Sequence, residues 1–151
     1  MDAPGKLESM KDLFEILHIV SGVFIVGPMA VLPMLGLRAL RAGAGAQVAS
    51  LARLTAIVGW LSLLVAVFGF GLMSFEEDLT FTTPWFLTSI ILFSVAVTLT
   101  LSLVAPLMRR AGVELADAPG QRSKHYGAIA ASSGVSALLL VAVVVLMVWR
   151  P

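Results

Sequence analysis

Four long apolar runs, Leu13 to Leu37, Leu54 to Phe75, Trp85 to Met108 and Tyr126 to Trp149, dominate this sequence and leave few folds open to it. At 1.5 Å of rise per helical residue, each run is long enough to cross ~30 Å of hydrocarbon. In lipid a segment must satisfy its own backbone groups, and runs of this length exceed what a barrel strand needs. The expectation is an all-α integral membrane protein, a four-helix bundle forming a single transmembrane domain over residues 1–151. Composition points the same way, because 59% hydrophobic and 13% charged residues, with a mean hydropathy of +1.00, leave lipid as the main solvent.

The charges mark the ends of the runs. Arg38, Arg41 and Arg53 lie between the first and second, and Arg109, Arg110, Arg122 and Lys124 between the third and fourth. The other side holds Lys6, Lys11 and Arg150 with the acidic loop Glu76, Glu77 and Asp78. The positive-inside bias then expects the two basic loops in the cytoplasm and both termini outside, an N-out/C-out topology. Trp85 and Trp149 fall at the outer boundary and Tyr126 at the inner one, where amphipathic rings prefer to sit. The acidic start, Asp2 to Glu15, differs from the basic opening of a secretory signal peptide, so the first run is expected to persist as a span. A chain rich in Ala, Arg and Gly and poor in Lys suggests a bacterial inner (plasma) membrane.

Ala42 to Ser50 reads as a flexible turn and Ala111 to Lys124 as a longer exposed connection. No duplicated segment supports an inverted-repeat transporter. In lipid, small residues mark helix contacts. Gly127 and Ala131, with Ala130 and Gly134 on a neighbouring stripe, follow small-xxx-small spacing and are the expected packing face of the fourth helix, whose first half should be buried. Gly59, Ser62, Gly69 and Gly71 in the second run, and Ser89, Ser94, Thr98, Thr100 and Ser102 in the third, offer further contacts and hydroxyls. Pro28, Pro33 and Pro106 each remove a backbone donor and free the carbonyls of Phe24, Met29 and Ser102, so kinks are expected there.

With no cysteine, thiolate chemistry is absent, and nothing suggests a nucleic-acid partner. Ionisable residues inside the runs are few, which singles out His18 and Glu15. Three residues apart on a helix, they share a face, and Glu15 is placed to orient the imidazole. The functional readings for His18 are an axial haem ligand, a metal ligand or a proton-handling group; the plain alternative is an interfacial histidine bonded to water or a hydroxyl. His125 begins the fourth run at the opposite side of the membrane, roughly 25 Å away in depth, so one haem cannot take both histidines. Met73 and Met147 are the available thioether partners, though Met is also a routine gap-filler. Consecutive acids in the outer loop diverge and form no expected metal site, and His125 with Lys124 and Tyr126 reads as an interfacial polar cluster. No phosphate loop, zinc helix or nucleophile elbow appears, so catalysis is not expected.

The stretch Ile16 to Arg38, ILHIVSGVFIVGPMAVLPMLGLR, resembles the opening helix of a loose group of small bacterial membrane proteins: the copper-resistance D-like proteins, the HemJ-type protoporphyrinogen oxidases, and a family of predicted integral membrane proteins of unknown function. The closing run VLMVWRP, Val145 to Pro151, is most similar to the last of these, whose members have four spans and about this length. Resemblance to the HemJ type implies a haem- or porphyrin-binding role for the first-helix histidine, which matches His18. Those enzymes also use a lysine in a later helix, and here no run contains one.

Packing chemistry makes the leading expectation a non-catalytic structural or interaction component of a membrane assembly, a homo-oligomer or part of a larger complex in the lipid bilayer. The rival expectation is a haem- or metal-binding protein using His18, and the third is a small exporter or channel.

Overall fold

The structure is a computed structural model that describes residues 4–76, 80–118 and 123–149. Asp2, Glu77, Asp78, Arg122 and Arg150, which entered the charge argument, lie outside the described residues. Every regular element among the described residues is helical. The first span consists of α1 (Pro4–Ser21), a π turn (Gly22–Val26) and α2 (Gly27–Arg41). The second is α3 (Gly45–Met73). The third consists of α4 (Pro84–Leu99), a second π turn (Thr100–Val104) and α5 (Ala105–Asp117), and the fourth is α6 (Tyr126–Trp149). All four spans are long and apolar enough to cross a membrane. Four spans bring Pro4 and Trp149 to one end of the bundle, the terminal end, and the helix ends bearing Arg38, Arg41, Arg109 and Arg110 to the other, the basic end.

The two π turns explain how the prolines are carried. A proline ring collides with the carbonyl four residues earlier, which is Phe24 for Pro28 and Ser102 for Pro106. Both carbonyls lie inside the π turns. There the ladder widens by one residue: the Gly27 N–H donates to the Gly22 carbonyl and the Ala105 N–H to the Thr100 carbonyl. Pro33 sits in the continuous α2 without such a turn.

Packing is tightest at the basic end. Leu40, Val48, Met108, Ala111, Leu115 and Ile129 form the centre of a buried cluster contributed by four helices. Backbones approach closely there: a Cβ on Gly45 would stand 2.7 Å from the Gly112 carbonyl oxygen. This corrects the reading of both basic connections. The supposed turn Ala42 to Ser50 is helical from Gly45, with Gly45 and Val48 buried, and α5 continues to Asp117 with Ala111, Gly112 and Leu115 buried. Glycine composition suggested flexibility, whereas the missing side chains serve contact between α3 and α5.

The packing face of α6 also differs from the expected stripe. Ile129, Ser133, Ser136 and Leu140 are its buried residues. Gly127 and Ala131 are exposed, Ala130 is half-buried, and a Cβ on Gly127 or Gly134 would meet nothing within 4 Å. Small size does not select the inward face here, because two serines with an isoleucine and a leucine fill it. Buried hydroxyls are satisfied locally: Thr55 donates to the Leu51 carbonyl, Ser62 to Gly59 and Ser89 to Trp85. Between helices, Thr100 and Ser136 bond to each other at 2.9 Å, and both reach the Ala96 carbonyl.

Candidate functional site

Toward the terminal end the bundle divides. There α1 packs on α3 and α4 packs on α6, while these two pairs hardly touch one another. Between them lies a cavity of about 630 Å³ walled by all four spans. Val97 and Leu140 of its wall belong to a buried cluster with Met29 and Ala96. Over the α3 and α4 side, Phe81 bridges Phe70 and Phe86, with ring centroids 6.1 Å apart in each case. Most of the wall is apolar, and among the described residues His18 is its only ionisable member.

The position of His18 follows from the close approach of α1 to α3. Gly69 and Gly71 remove side chains on the two flanks of the α3 surface that α1 covers, and one α1 ring occupies each space. A Cβ on Gly71 would lie 2.5 Å from the Phe14 ring and one on Gly69 would lie 3.0 Å from His18 Cε1. Phe14 also meets Phe68 edge-on at 6.5 Å and Phe75 at 5.9 Å. Half-buried in this seam, the His18 ring donates from Nδ1 to the Val65 carbonyl oxygen at 2.9 Å. A carbonyl can only accept, so this contact assigns the proton to Nδ1 and leaves Nε2 of the neutral ring with a lone pair. Among the described residues Nε2 has no hydrogen-bond partner.

The orienting role expected of Glu15 belongs instead to Val65. Glu15 is exposed and makes no hydrogen bond to His18, since the i, i+3 pair diverges once α3 draws the imidazole sideways. Met147 lines the cavity, whereas Met73 does not. His125 lies at the basic end, where Nε2 meets Glu114 Oε1 at 3.1 Å, Lys124 meets the same oxygen at 3.5 Å, and Arg41 lies over the Tyr126 ring at 5.1 Å. The two histidines therefore stand at opposite ends of the bundle. In the loop at the terminal end, Glu76 pairs with Lys11 at 2.8 Å. No group of three or more metal-binding side chains occurs among the described residues.

Sequence reasoning found His18 and missed its partner, because a main-chain carbonyl carries no residue signature. The nearest signal was Gly69-x-Gly71, which marked a close approach without naming what approached. Chemically, the site offers one imidazole lone pair and the Ser94 and Thr98 hydroxyls at the edge of a mostly apolar space. The buried hydroxyl in the same wall, Ser89, is committed to the Trp85 carbonyl at 2.8 Å. Such a site can bind and orient.

A family model described as a predicted integral membrane protein (DUF2269) matches residues 12–151. No curated protein and no solved structure gives a significant match.

Proposed function

The chain belongs to the DUF2269 family of predicted integral membrane proteins, and from that premise we propose that it is a non-catalytic binding protein of the bacterial inner membrane. It holds an apolar molecule in the cavity between its helix pairs, with His18 as the polar anchor. The observation that carries this reading is the cavity itself. About 630 Å³ lies in the middle of the range for small-molecule sites, and a mostly apolar wall with a few polar groups is their usual composition. Topology follows the charge bias, with the basic end in the cytoplasm, so the cavity occupies the outer half of the bilayer.

The test is extraction and mass spectrometry of the ligand from protein purified in mild detergent, together with an absorption spectrum. Gly22 lines the cavity and a Cβ there meets nothing within 4 Å. Gly22→Leu should fill the space and abolish co-purification while leaving the bundle folded. A wild-type protein that carries no stoichiometric apolar molecule from its native membrane defeats the reading.

Iron porphyrin is a second reading of the same site, favoured by Met147 in the cavity wall. An imidazole held through Nδ1 by a carbonyl is suited to axial ligation through Nε2, and His18 and Met147 would hold the group. A Soret band lost in His18→Ala would establish it. Membership of an assembly is independent of both, and the outward Gly127, Ala131 and Gly134 face supports it by leaving room for a second helix.

A further inference from the structure

Resting on the cavity reading above, we infer that the occupant is a single-chain amphiphile whose head presents a hydroxyl donor to His18 Nε2 and whose tail runs down the wall toward Val26 and Leu140. Three observations combine. First, His18 is the member of the first-span wall nearest the terminal end, and Val26 is the deepest. Eight residues separate them, which puts about 12 Å of apolar wall below the imidazole. On the first-span wall the polar contact thus stands at the top with apolar surface beneath it, the polarity of an amphiphile seated in one leaflet, while α4 adds the Ser94 and Thr98 hydroxyls to its own wall.

Second, the hydrogen bond from Nδ1 to the Val65 carbonyl fixes the sense of recognition. In the neutral ring Nε2 accepts and does not donate. An alcohol or an undissociated acid satisfies it, while an ether, an ester carbonyl or a quinone oxygen leaves the lone pair unmet. Leaving such a group without its partner lowers affinity, and a neutral hydrogen bond contributes on the order of tenfold in binding.

Third, the cavity is open toward lipid along its sides. Ile19 and Val23 on the first span and Val144 and Val148 on α6 line it, yet are 56%, 63%, 55% and 81% exposed. On the opposite side, Phe70, Phe81 and Phe86 form a continuous aromatic contact. A tail can therefore enter between the first span and α6 from the surrounding leaflet, without passing through water.

The experiment uses the full chain in phospholipid nanodiscs with a diazirine-bearing hexadecanol, mapping crosslinks by mass spectrometry. Hexadecanol and hexadecyl methyl ether serve as competitors. The expected result is labelling of cavity-wall peptides from α1 and α6, displaced roughly tenfold better by the alcohol than by the ether. His18→Phe, which keeps a ring against Gly69 without the acceptor, should equalise the two competitors, and Gly22→Leu should remove the labelling. Equal competition in the wild-type chain overturns the inference while the cavity reading survives. A Soret band in the purified protein does the same in favour of porphyrin. Labelling confined to the outer surface of the helices removes both.

Discussion

Gly112 meets Gly45 backbone to backbone: a Cβ on Gly112 would stand 3.0 Å from the Gly45 carbonyl oxygen and 2.8 Å from the Ala49 nitrogen. No side chain yields in this crossing, since main chain faces main chain. Gly112→Leu should therefore force α3 and α5 apart and open the buried cluster at the basic end, a loss of about 2 kcal/mol or more on the scale of overpacked cores. Reversible unfolding in mixed micelles measures it, and a midpoint equal to wild type would contradict the crossing.

The Thr100 and Ser136 hydroxyls share the Ala96 carbonyl next to the second π turn. In membranes, interhelical hydrogen bonds of this kind couple by roughly 0.6 kcal/mol on average and reach about 1.7. A double-mutant cycle with Thr100→Val and Ser136→Ala should return a coupling within that range. Additive effects of the two substitutions would show that the pair contributes no coupling.

Gly69 sets the position of His18, with 3.0 Å between its virtual Cβ and His18 Cε1. Gly69→Val should push the imidazole off the Val65 carbonyl and reduce ligand retention roughly tenfold, while the rest of the α1 seam, held by Phe14 on Gly71, remains. Retention is read by mass spectrometry of the purified protein. Undiminished retention with an intact fold would remove His18 from the site.

Gly127 and Gly134 lie on the outward side of α6 with open space around them. Gly127→Leu and Gly134→Leu should leave the stability of a single chain unchanged. If that face docks a second copy, both substitutions should lower the particle mass by sedimentation in mild detergent. An unchanged mass would take this face out of any assembly.

Lys11 and Glu76 pair across the α1 and α3 ends at 2.8 Å with both side chains 40% exposed. Solvent screens an exposed pair of this kind, so its contribution is small. Lys11→Ala should accordingly shift the unfolding midpoint little, and less still at high salt; a large shift would require the helix ends to be more tightly joined than this one contact implies.

Four spans and the isolation of His18 from His125 were legible from hydropathy and charge, whereas the helices overrun the apolar runs, beginning at Pro4 and Gly45 where the runs begin at Leu13 and Leu54, and ending at Asp117 where the third run ends at Met108. Legibility failed where glycine had two meanings. Gly45 and Gly112 read as loop residues from composition, yet they bring main chain against main chain where α3 crosses α5, while Gly127 and Gly134 read as contact residues and face outward. Glycine permits close approach without specifying a partner, so its neighbours in space decide which use is made of it. Prolines 28 and 106 correctly marked irregular backbone, but whether that would be a kink or a widened π turn depended on how the freed carbonyls were accommodated.

By itself the sequence determined that the chain must be a bundle of membrane helices, because hydrocarbon tolerates no unsatisfied backbone and four runs of this length and hydropathy have no other way to satisfy it. Tertiary structure alone decided which faces meet. In lipid the apolar side chains gain no solvent-driven preference for the interior, so inward and outward faces look alike in composition. Pairing of α1 with α3 and of α4 with α6 opened the cavity, and a main-chain carbonyl at Val65, which no residue pattern could announce, fixed the way His18 faces it.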